Sequence, residues 1–522
     1  MTTFQKIPKY IDSTLAEKGA RAITSRGESD VALGTVFDDF DEWQDQHLWP
    51  VLNATGDNSA VAEFDSLDIE ISTSARASHL NHRVQDALVL KNDNLTAPGA
   101  AEKRHMEIKL PSDVTYQAGD YIAILPVNNI HLIERVLLRF GLPWDTTMTI
   151  KKGSHTTIPM QQSLSVTIVI GAYVEMTAPA TRKNIATILE LTTDQTIKSA
   201  ITNSASATPT PSVLELLELH QSIPIPFSTY LAMLPPMRIR QYSISSSPLA
   251  DPTVASITYA VLDEGQSSTI APDSGNQQQL QKHRKGRLGV ATSFLRDLAP
   301  SSKIQIAIKK SHASFHLPLD DAATPIIMIA AGTGISPFMS FIQERAVKIA
   351  AAAAREPATK MPETPNPEKD VSVDLSSQAS PALLAPALLF IGCRSPTLDF
   401  LYKSQLSQWE NAGIVTVFPA FSRTPEASAN CKYAQDRVWA ERELVSELFE
   451  RGARVYICGS ARLGRGVQDV ARRIYGEVVV RRRGEGMVGK EGVVENEEDT
   501  EEKAKEWWEG LRGERFAVDV FD

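Results

Sequence analysis

Cysteine is scarce in this chain. Only Cys393, Cys431 and Cys458 occur in 522 residues, and no two form a C-x-x-C pair. So sparse and odd a set argues against a disulfide framework and a structural zinc site, and it suits a reducing, cytoplasmic compartment. No metal site is expected. Long apolar runs are missing as well. Residues 1–20 lack the apolar core of a secretory signal, and no stretch reaches the ~18 apolar residues a membrane-spanning helix needs. Positive charge is not in excess. The net charge of −10 argues against non-specific nucleic-acid binding as the role.

What is present points to several domains, since 522 residues exceed what one hydrophobic core organises. In residues 1–55, Ile7, Ile11 and Leu15, then Phe40, Trp43, Leu48 and Leu52, recur at helical spacing. Two such helices cannot bury both apolar faces alone. Residues 56–80 are polar and small, as in a linker. Residues 81–315 alternate as strands around Asp86, His105, Tyr121, Arg240, Ala255 and Lys303, with a mostly helical insertion at about 130–230. Residues 316–522 alternate short apolar runs with helical segments, the mark of a parallel, doubly wound sheet. The expected fold is therefore multidomain, α+β and α/β. An antiparallel β-barrel carries a helical subdomain, and a doubly wound domain follows. The stretch at about 350–380 reads as a disordered insertion, and 481–505 as a charged, glycine-rich surface loop inserted before a last helix.

Six strings carry the chemistry. In Arg240-Gln241-Tyr242-Ser243-Ile244-Ser245-Ser246-Ser247-Pro248, the arginine can fork onto a pyrophosphate, the tyrosine can stack on a flat ring and Ser243 can hydrogen-bond it. The same string also suits a polar edge strand. Gly289-Val290-Ala291-Thr292 opens a helix whose free amides can hold an anion, or a helix that is merely capped. Ala331-Gly332-Thr333-Gly334-Ile335-Ser336-Pro337 follows a strand and starts a helix, so backbone can approach a phosphate there. Ser422-Arg423, with Lys432, Tyr433 and Gln435 further along the loop, can hold a ribose 2′-phosphate at a strand end, or form a solvated loop. Cys458-Gly459-Ser460 ends a buried strand where ligands bind in such sheets. Alternating Phe516, Val518 and Val520 predict a docked terminal strand rather than a frayed end.

In this order the strings resemble the FAD/NADPH half of the diflavin reductases, the family of NADPH–haemoprotein reductase and of the reductase halves fused to haem-thiolate monooxygenases. Tyr242-Ser-Ile-Ser-Ser-Ser-Pro, Gly392-Cys-Arg-Ser-Pro, Asp399-Phe-Leu-Tyr and Gly452-Ala-Arg-Val-Tyr-Ile-Cys-Gly are similar to the fused type. The resemblance implies an FAD-binding barrel with a connecting subdomain, then an NADPH-binding domain. It implies that Arg240 binds the FAD pyrophosphate, Tyr242 stacks on the flavin, and Gly289, Val290, Ala291 and Thr292 cradle phosphate. Gly332, Thr333 and Gly334 would line the NADPH pyrophosphate path. Arg394 would approach the nucleotide, and Ser422, Arg423, Lys432, Tyr433 and Gln435 its 2′-phosphate end. Ser243, Cys458 and Asp519 would surround the hydride-transfer centre, with Phe521 over the flavin.

Four positions depart from the family's usual pattern. Phe521 stands for tryptophan, Gln241 for a tyrosine, Cys431 for a lysine and Ser460 for an acidic residue. Residues 1–55 resemble the end of a flavodoxin-like domain, so FMN is expected only in a full-length form. The implied reaction takes hydride from NADPH through FAD, natively to an FMN domain and a haem-protein acceptor. The alternatives are a truncated, non-catalytic nucleotide-binding relic, or the same chemistry with a sulfite- or ferric-type acceptor.

Overall fold

Two alternation patterns, one antiparallel and one parallel, become two sheets in the computed structural model. It describes residues 6–28, 40, 43–53, 75–80, 82–151, 157–205, 210–262, 289–312, 314–354, 384–484, 506, 508, 510–511 and 514–521. The chain divides into two units, residues 1–72 and 73–522. In the first, the helix Lys6–Glu17 buries none of its residues, and Ile7, Tyr10, Ile11 and Leu15 are exposed. Arg26 joins it by an ion pair to Asp12 at 2.8 Å, and Trp43 Nε1 donates to the Ser25 carbonyl. Most of the linker expected at 56–80 lies outside the described residues.

The second unit begins with the antiparallel strands β1 (Gln85–Asn94), β2 (Lys103–Lys109) and β3 (Tyr121–Ile124). The short hairpin β4 (Thr147–Thr149) and β5 (Ser163–Ser165) lies within a helical insertion. Then come β6 (Arg240–Ser243), β7 (Val254–Ala260) and β8 (Lys303–Lys309). Six of these pair in the order β6-β3-β8-β1-β2-β7. An antiparallel bridge from Ile244, just past β6, to Ile257 in β7 joins the two edges and closes the barrel. Its interior is filled by Val89, Met106, Ile108, Ile122, Ile124, Ile257 and Ile306, the inward half of each alternating strand.

The insertion has a core of its own, including Val136, Val169, Ile170, Leu216, Leu217 and Tyr230. Its helices are locally well punctuated. Asn129 accepts from the His131 amide to start the helix Ile130–Phe140, and Gly141 ends it at φ 62°. Ser212 and Glu215 form a reciprocal capping box on the helix Val213–Leu219.

The second sheet consists of β9 (Ile326–Ala331), β10 (Ala387–Cys393), β11 (Thr416–Phe421), β12 (Arg454–Gly459) and β13 (Phe516–Val520). All pairs are parallel, in the order β11-β10-β9-β12-β13. Ile326, Met328 and Ala330 pack toward Phe338, Phe341 and Leu406. Ile327 and Ile329 pack toward Val438, Leu448, Leu463 and Val467. Both faces are thus covered by helices, as a doubly wound sheet requires. The chain runs outward from β9 to β11, then returns to β12, so the order reverses between β9 and β12. The carboxyl ends of those two strands form the crevice.

Two expected insertions start later than the sequence reading placed them. The helix Ser336–Ala353 runs through residues 350–353, because an alanine run has the highest helix propensity. The helix Ala461–Gly484 likewise continues past residue 481. The remainder of both stretches lies outside the described residues.

The two sheets are tied by the string Asp399-Phe400-Leu401-Tyr402. Tyr402 holds a left-handed backbone, φ 55°, at the start of the helix Lys403–Asn411. That turn carries its hydroxyl 2.9 Å from His105 Nδ1 on β2 and 2.6 Å from Thr258 Oγ1 on β7. Lys103 pairs with Asp399 at 2.9 Å, and the Ser336 hydroxyl donates to the Ser243 carbonyl. Tyr402→Phe removes the bridging hydroxyl and leaves two part-buried polar atoms without it. A destabilisation of about 1–3 kcal/mol is expected, read as a lower urea midpoint. An unchanged midpoint would mean that water replaces the bridge at no cost.

Candidate active site

A cavity of about 1290 Å³ opens between the barrel, the helical insertion and the parallel sheet. β6 lines it with Arg240, Gln241, Tyr242 and Ser243, because β6 is an edge of the barrel sheet whose far neighbour is only the bridge at Ile244. Arg240 Nη1 donates to Glu175 Oε1 at 2.7 Å, and Glu175, nearly buried in the insertion, also accepts from the Arg238 amide. Tyr242 meets Tyr259 edge-on at 6.1 Å, and burial pushes its phenol well above the ordinary range. On one wall, Gly289, Val290, Ala291 and Thr292 open the helix Val290–Asp297, which has no side-chain cap. Its first amides therefore keep their donor capacity toward the cleft.

At the crevice end of this cleft, β13 lies parallel to β12 with Cys458 opposite Asp519 and Gly459 opposite Val520. That register carries the Asp519 carboxylate across to the barrel, where Ser243 Oγ donates to Asp519 Oδ2 at 3.2 Å. The Cys458 thiol donates to the same oxygen at 3.7 Å. Ser243, Cys458 and Asp519, from β6, β12 and β13, thus converge on one point. Burial first, and the Asp519 charge second, push the Cys458 thiol well above its ordinary value, so it is a neutral donor. Tyr121, which pairs with Ser243, is raised by burial and then by Asp519. The Phe521 amide donates to the Gly459 carbonyl, and the half-exposed Phe521 ring lines the cleft.

A second cavity, about 280 Å³, lies beyond the carboxyl ends of β9, β10 and β11. Gly332, Arg394, Ser422, Lys432, Tyr433 and Gln435 line it. The Ser422 amide donates to the Cys393 carbonyl and the Arg423 amide to the Arg394 carbonyl, which zips the two loops together. Asp399 accepts from the Arg394 and Ser395 amides and so shapes the same turn. Ser460 lines both cavities, so they adjoin at the end of β12. Thr333 faces the larger cavity and Gly332 the smaller. Gly334 packs directly on β12, where a Cβ would overlap the Cys458 carbonyl.

Most of the residues singled out in the sequence therefore line one of two adjoining cavities. Arg423 is exposed and is not among the residues lining the smaller one, and Gly334 is a packing contact in the same turn. The structure adds residues that the sequence reading passed over. Glu175 holds Arg240, Tyr121 faces Asp519, Arg462 sits 5.8 Å over the Tyr433 ring, and Lys103 enters the smaller cavity from the barrel. Only Arg462 had a local signal, its place just after Cys458-Gly459.

A closed antiparallel barrel joined to a doubly wound sheet, with a cleft over their junction, is an arrangement that can hold a nucleotide between two domains. Comparison with known proteins agrees. Residues 77–275 match the FAD binding domain family, and residues 328–469 match the oxidoreductase NAD-binding domain family. A bifunctional cytochrome P450/NADPH–P450 reductase of Fusarium oxysporum is 40% identical over 534 residues, covering 100% of this chain and 44% of that protein. A protein of the same description from Acremonium egyptiacum is 37% identical, again with 100% and 44% covered. A self-sufficient cytochrome P450 monooxygenase of Phanerodontia chrysosporium is 35% identical with the same shares. The chain thus spans less than half the length of these relatives. The two matched domains, in this order, and the alignment along the whole chain make it similar to the FAD- and NADP-binding half of these relatives.

The buried thiols make alkaline pH a test of this geometry. Burial pushes Cys393 up to about 12, with Asp399 adding to the shift. A thiol raised in the folded state stabilises fully below its unfolded value, about 8.5, and that stability is lost as pH climbs toward the folded value. Urea midpoints should fall from about pH 8.5 upward, and Cys393→Ala should flatten part of that decline. A wild-type midpoint that stays constant to about pH 10 would contradict the burial of these thiols.

Proposed function

We propose that this chain oxidises NADPH and passes the electrons through FAD to a further carrier, natively an FMN domain and then a haem protein in the cytoplasm. The observation that carries this reading is the convergence of Ser243, Cys458 and Asp519 at the wall of the larger cavity. The haem acceptor follows from relatives described as P450/NADPH–P450 reductases. Among the described residues no helix is long and apolar enough to cross a membrane.

The larger cavity suits FAD. Its volume of about 1290 Å³ exceeds the few hundred to ~1,000 Å³ of ordinary small-ligand sites, and an uncapped helix start faces it. In this reading Arg240 holds the pyrophosphate, with Glu175 fixing the guanidinium, and Gly289 to Thr292 offer backbone amides. Tyr242 stacks on the flavin and Phe521 covers it. Bound FAD supplies the chemistry of taking a hydride from a nicotinamide and releasing electrons one at a time. Gly332, Thr333 and Gly334 lead the NADPH pyrophosphate past β9. Arg394, Ser422, Arg423, Lys432, Tyr433 and Gln435 receive the adenosine end with its 2′-phosphate.

At the junction, Ser243 and Cys458 donate to Asp519 and hold its carboxylate in place. Fixed there, Asp519 stabilises positive charge as it develops on the nicotinamide, with no reorganisation needed during the step. The Cys458 thiol stays protonated, so it orients without competing as a nucleophile.

The first test is direct. Flavin released from the purified chain is identified, and the chain is mixed with NADPH without oxygen. Bound FAD bleached rapidly by NADPH is the expected result; NADPH binding without bleaching would favour a non-catalytic nucleotide-binding protein. Asp519→Asn should slow bleaching by on the order of a hundred-fold while FAD stays bound, and an unchanged rate would sink its assigned role. Arg423→Ala should raise KM for NADPH by about ten-fold or more, the loss of one charge-assisted phosphate contact, and leave NADH turnover alone. Equal losses with both nucleotides would remove Arg423 from the 2′-phosphate.

A further inference from the structure

The loop that leaves β11 and ends at the helix Ala434–Ala440 carries Ser422 and Arg423 on its outgoing end and Lys432 and Tyr433 on its return. Between them lies Ser428, which is 3% exposed and is not among the residues lining the smaller cavity. Its hydroxyl accepts from the amide of Phe421, the last residue of β11, at 2.9 Å. The same hydroxyl lies 2.9 Å from the Cys431 carbonyl and 3.2 Å from the Pro425 carbonyl, the two acceptors within reach of its proton. One buried oxygen thus links the end of the strand to the residue just before Lys432. We infer that Ser428 is a positioning residue for the choice of NADPH over NADH, fixing the return end of the loop against the outgoing end without touching the nucleotide. The inference rests on the reading of this chain as an NADPH oxidoreductase whose loop receives the 2′-phosphate.

The strand order explains why a side chain is needed there. β11 is the edge of the parallel sheet. The Ser422 amide points inward to the Cys393 carbonyl, so the Phe421 amide points outward, where no further strand exists to accept from it. A buried amide needs an acceptor, and Ser428 provides one. The outgoing end is already fixed to the sheet, since the Ser422 and Arg423 amides are bound to the Cys393 and Arg394 carbonyls. Ser428 refers the return end to that fixed edge. The turn between is costly. Ala429 and Asn430 both hold left-handed backbone, φ 52° and 57°, which a Cβ disfavours, more so in alanine than in asparagine. Such a pair persists only where its surroundings over-determine it. The Asn430 amide donates to the Pro425 carbonyl and the Cys431 amide to the Ser428 carbonyl, so the turn closes on itself, and the Ser428 hydroxyl anchors it to the strand. Without the hydroxyl, the Phe421 amide and the Cys431 carbonyl lose a buried partner. The turn then relaxes, and Lys432 and Tyr433 shift away from Ser422 and Arg423. NADH, with no 2′-phosphate, is indifferent to that shift.

The test separates positioning from packing. KM and kcat for NADPH and for NADH are measured on the FAD-loaded chain with ferricyanide as acceptor, and adenosine 2′-monophosphate binding is measured by calorimetry. Ser428→Ala should raise KM for NADPH and weaken adenosine 2′-monophosphate by about ten-fold. It should leave kcat, and KM for NADH, within about two-fold. Hydrogen exchange of the peptide spanning Phe421 should quicken in the same variant, since its amide loses its acceptor. Ser428→Thr keeps the hydroxyl and should recover most of the NADPH preference. An unchanged KM for NADPH in Ser428→Ala, or a Ser428→Thr chain equally impaired, would overturn the inference. Equal losses with both nucleotides, or loss of bound FAD, would reduce Ser428 to a structural residue. A wild-type chain that uses NADPH and NADH equally well would instead overturn the 2′-phosphate reading of the loop, and the inference with it.

Discussion

The arrangement depends on one close approach, that of β6 of the barrel to the carboxyl ends of β9 and β12. A single hydrogen bond marks it, Ser243 to Asp519 at 3.2 Å, between residues 276 apart in sequence. Two conditions make it possible. The parallel register of β13 must set Asp519 opposite Cys458. The turn after β9 must also press against β12, which the missing Cβ of Gly334 allows. The Ser336 hydroxyl then reaches the Ser243 carbonyl from the start of the next helix. Slipping β13 by one residue would turn Asp519 to the other face of the sheet and put Val518 or Val520 in its place.

That approach is held from a distance by the string 399–402. Tyr402 reaches two barrel strands at once, and Asp399 reaches a third partner through Lys103. These are part-buried polar contacts, so they specify one docking geometry rather than simply adding area. The cleft they create is polarised. Its junction end carries the Asp519 carboxylate with neutral Ser243 and Cys458 donors, while Arg394, Lys432 and Arg462 line the cavity at the other end. On the proposed function, this gradient admits a dinucleotide in one direction, phosphates to the basic end and the ring that becomes cationic to the acidic one.

Particular residues show how far local pattern carries. Alternating Met106 and Ile108 marked a barrel strand, and the unbroken run at Ile326 marked a strand buried on both faces. The strings around Tyr242, Gly332 and Cys458 were visible because glycine, hydroxyl and aromatic residues cluster at strand ends. Asp399-Phe-Leu-Tyr was visible only as a likeness, with no task attached. The alanine run at 350–353 was misjudged, since its composition suits a helix end as well as a loop.

By itself the sequence determined the two kinds of sheet, the order of the domains and the residue types offered at each strand end, since all of these follow from short-range periodicity and turn chemistry. Tertiary structure alone decided which of those residues meet. Strand order and register join Ser243 to Asp519 and carry Lys103 into a cavity of the other domain, and Glu175 reaches Arg240 from the insertion. Such pairings span tens to hundreds of residues, and they are set by how whole faces pack, which no local stretch of sequence encodes.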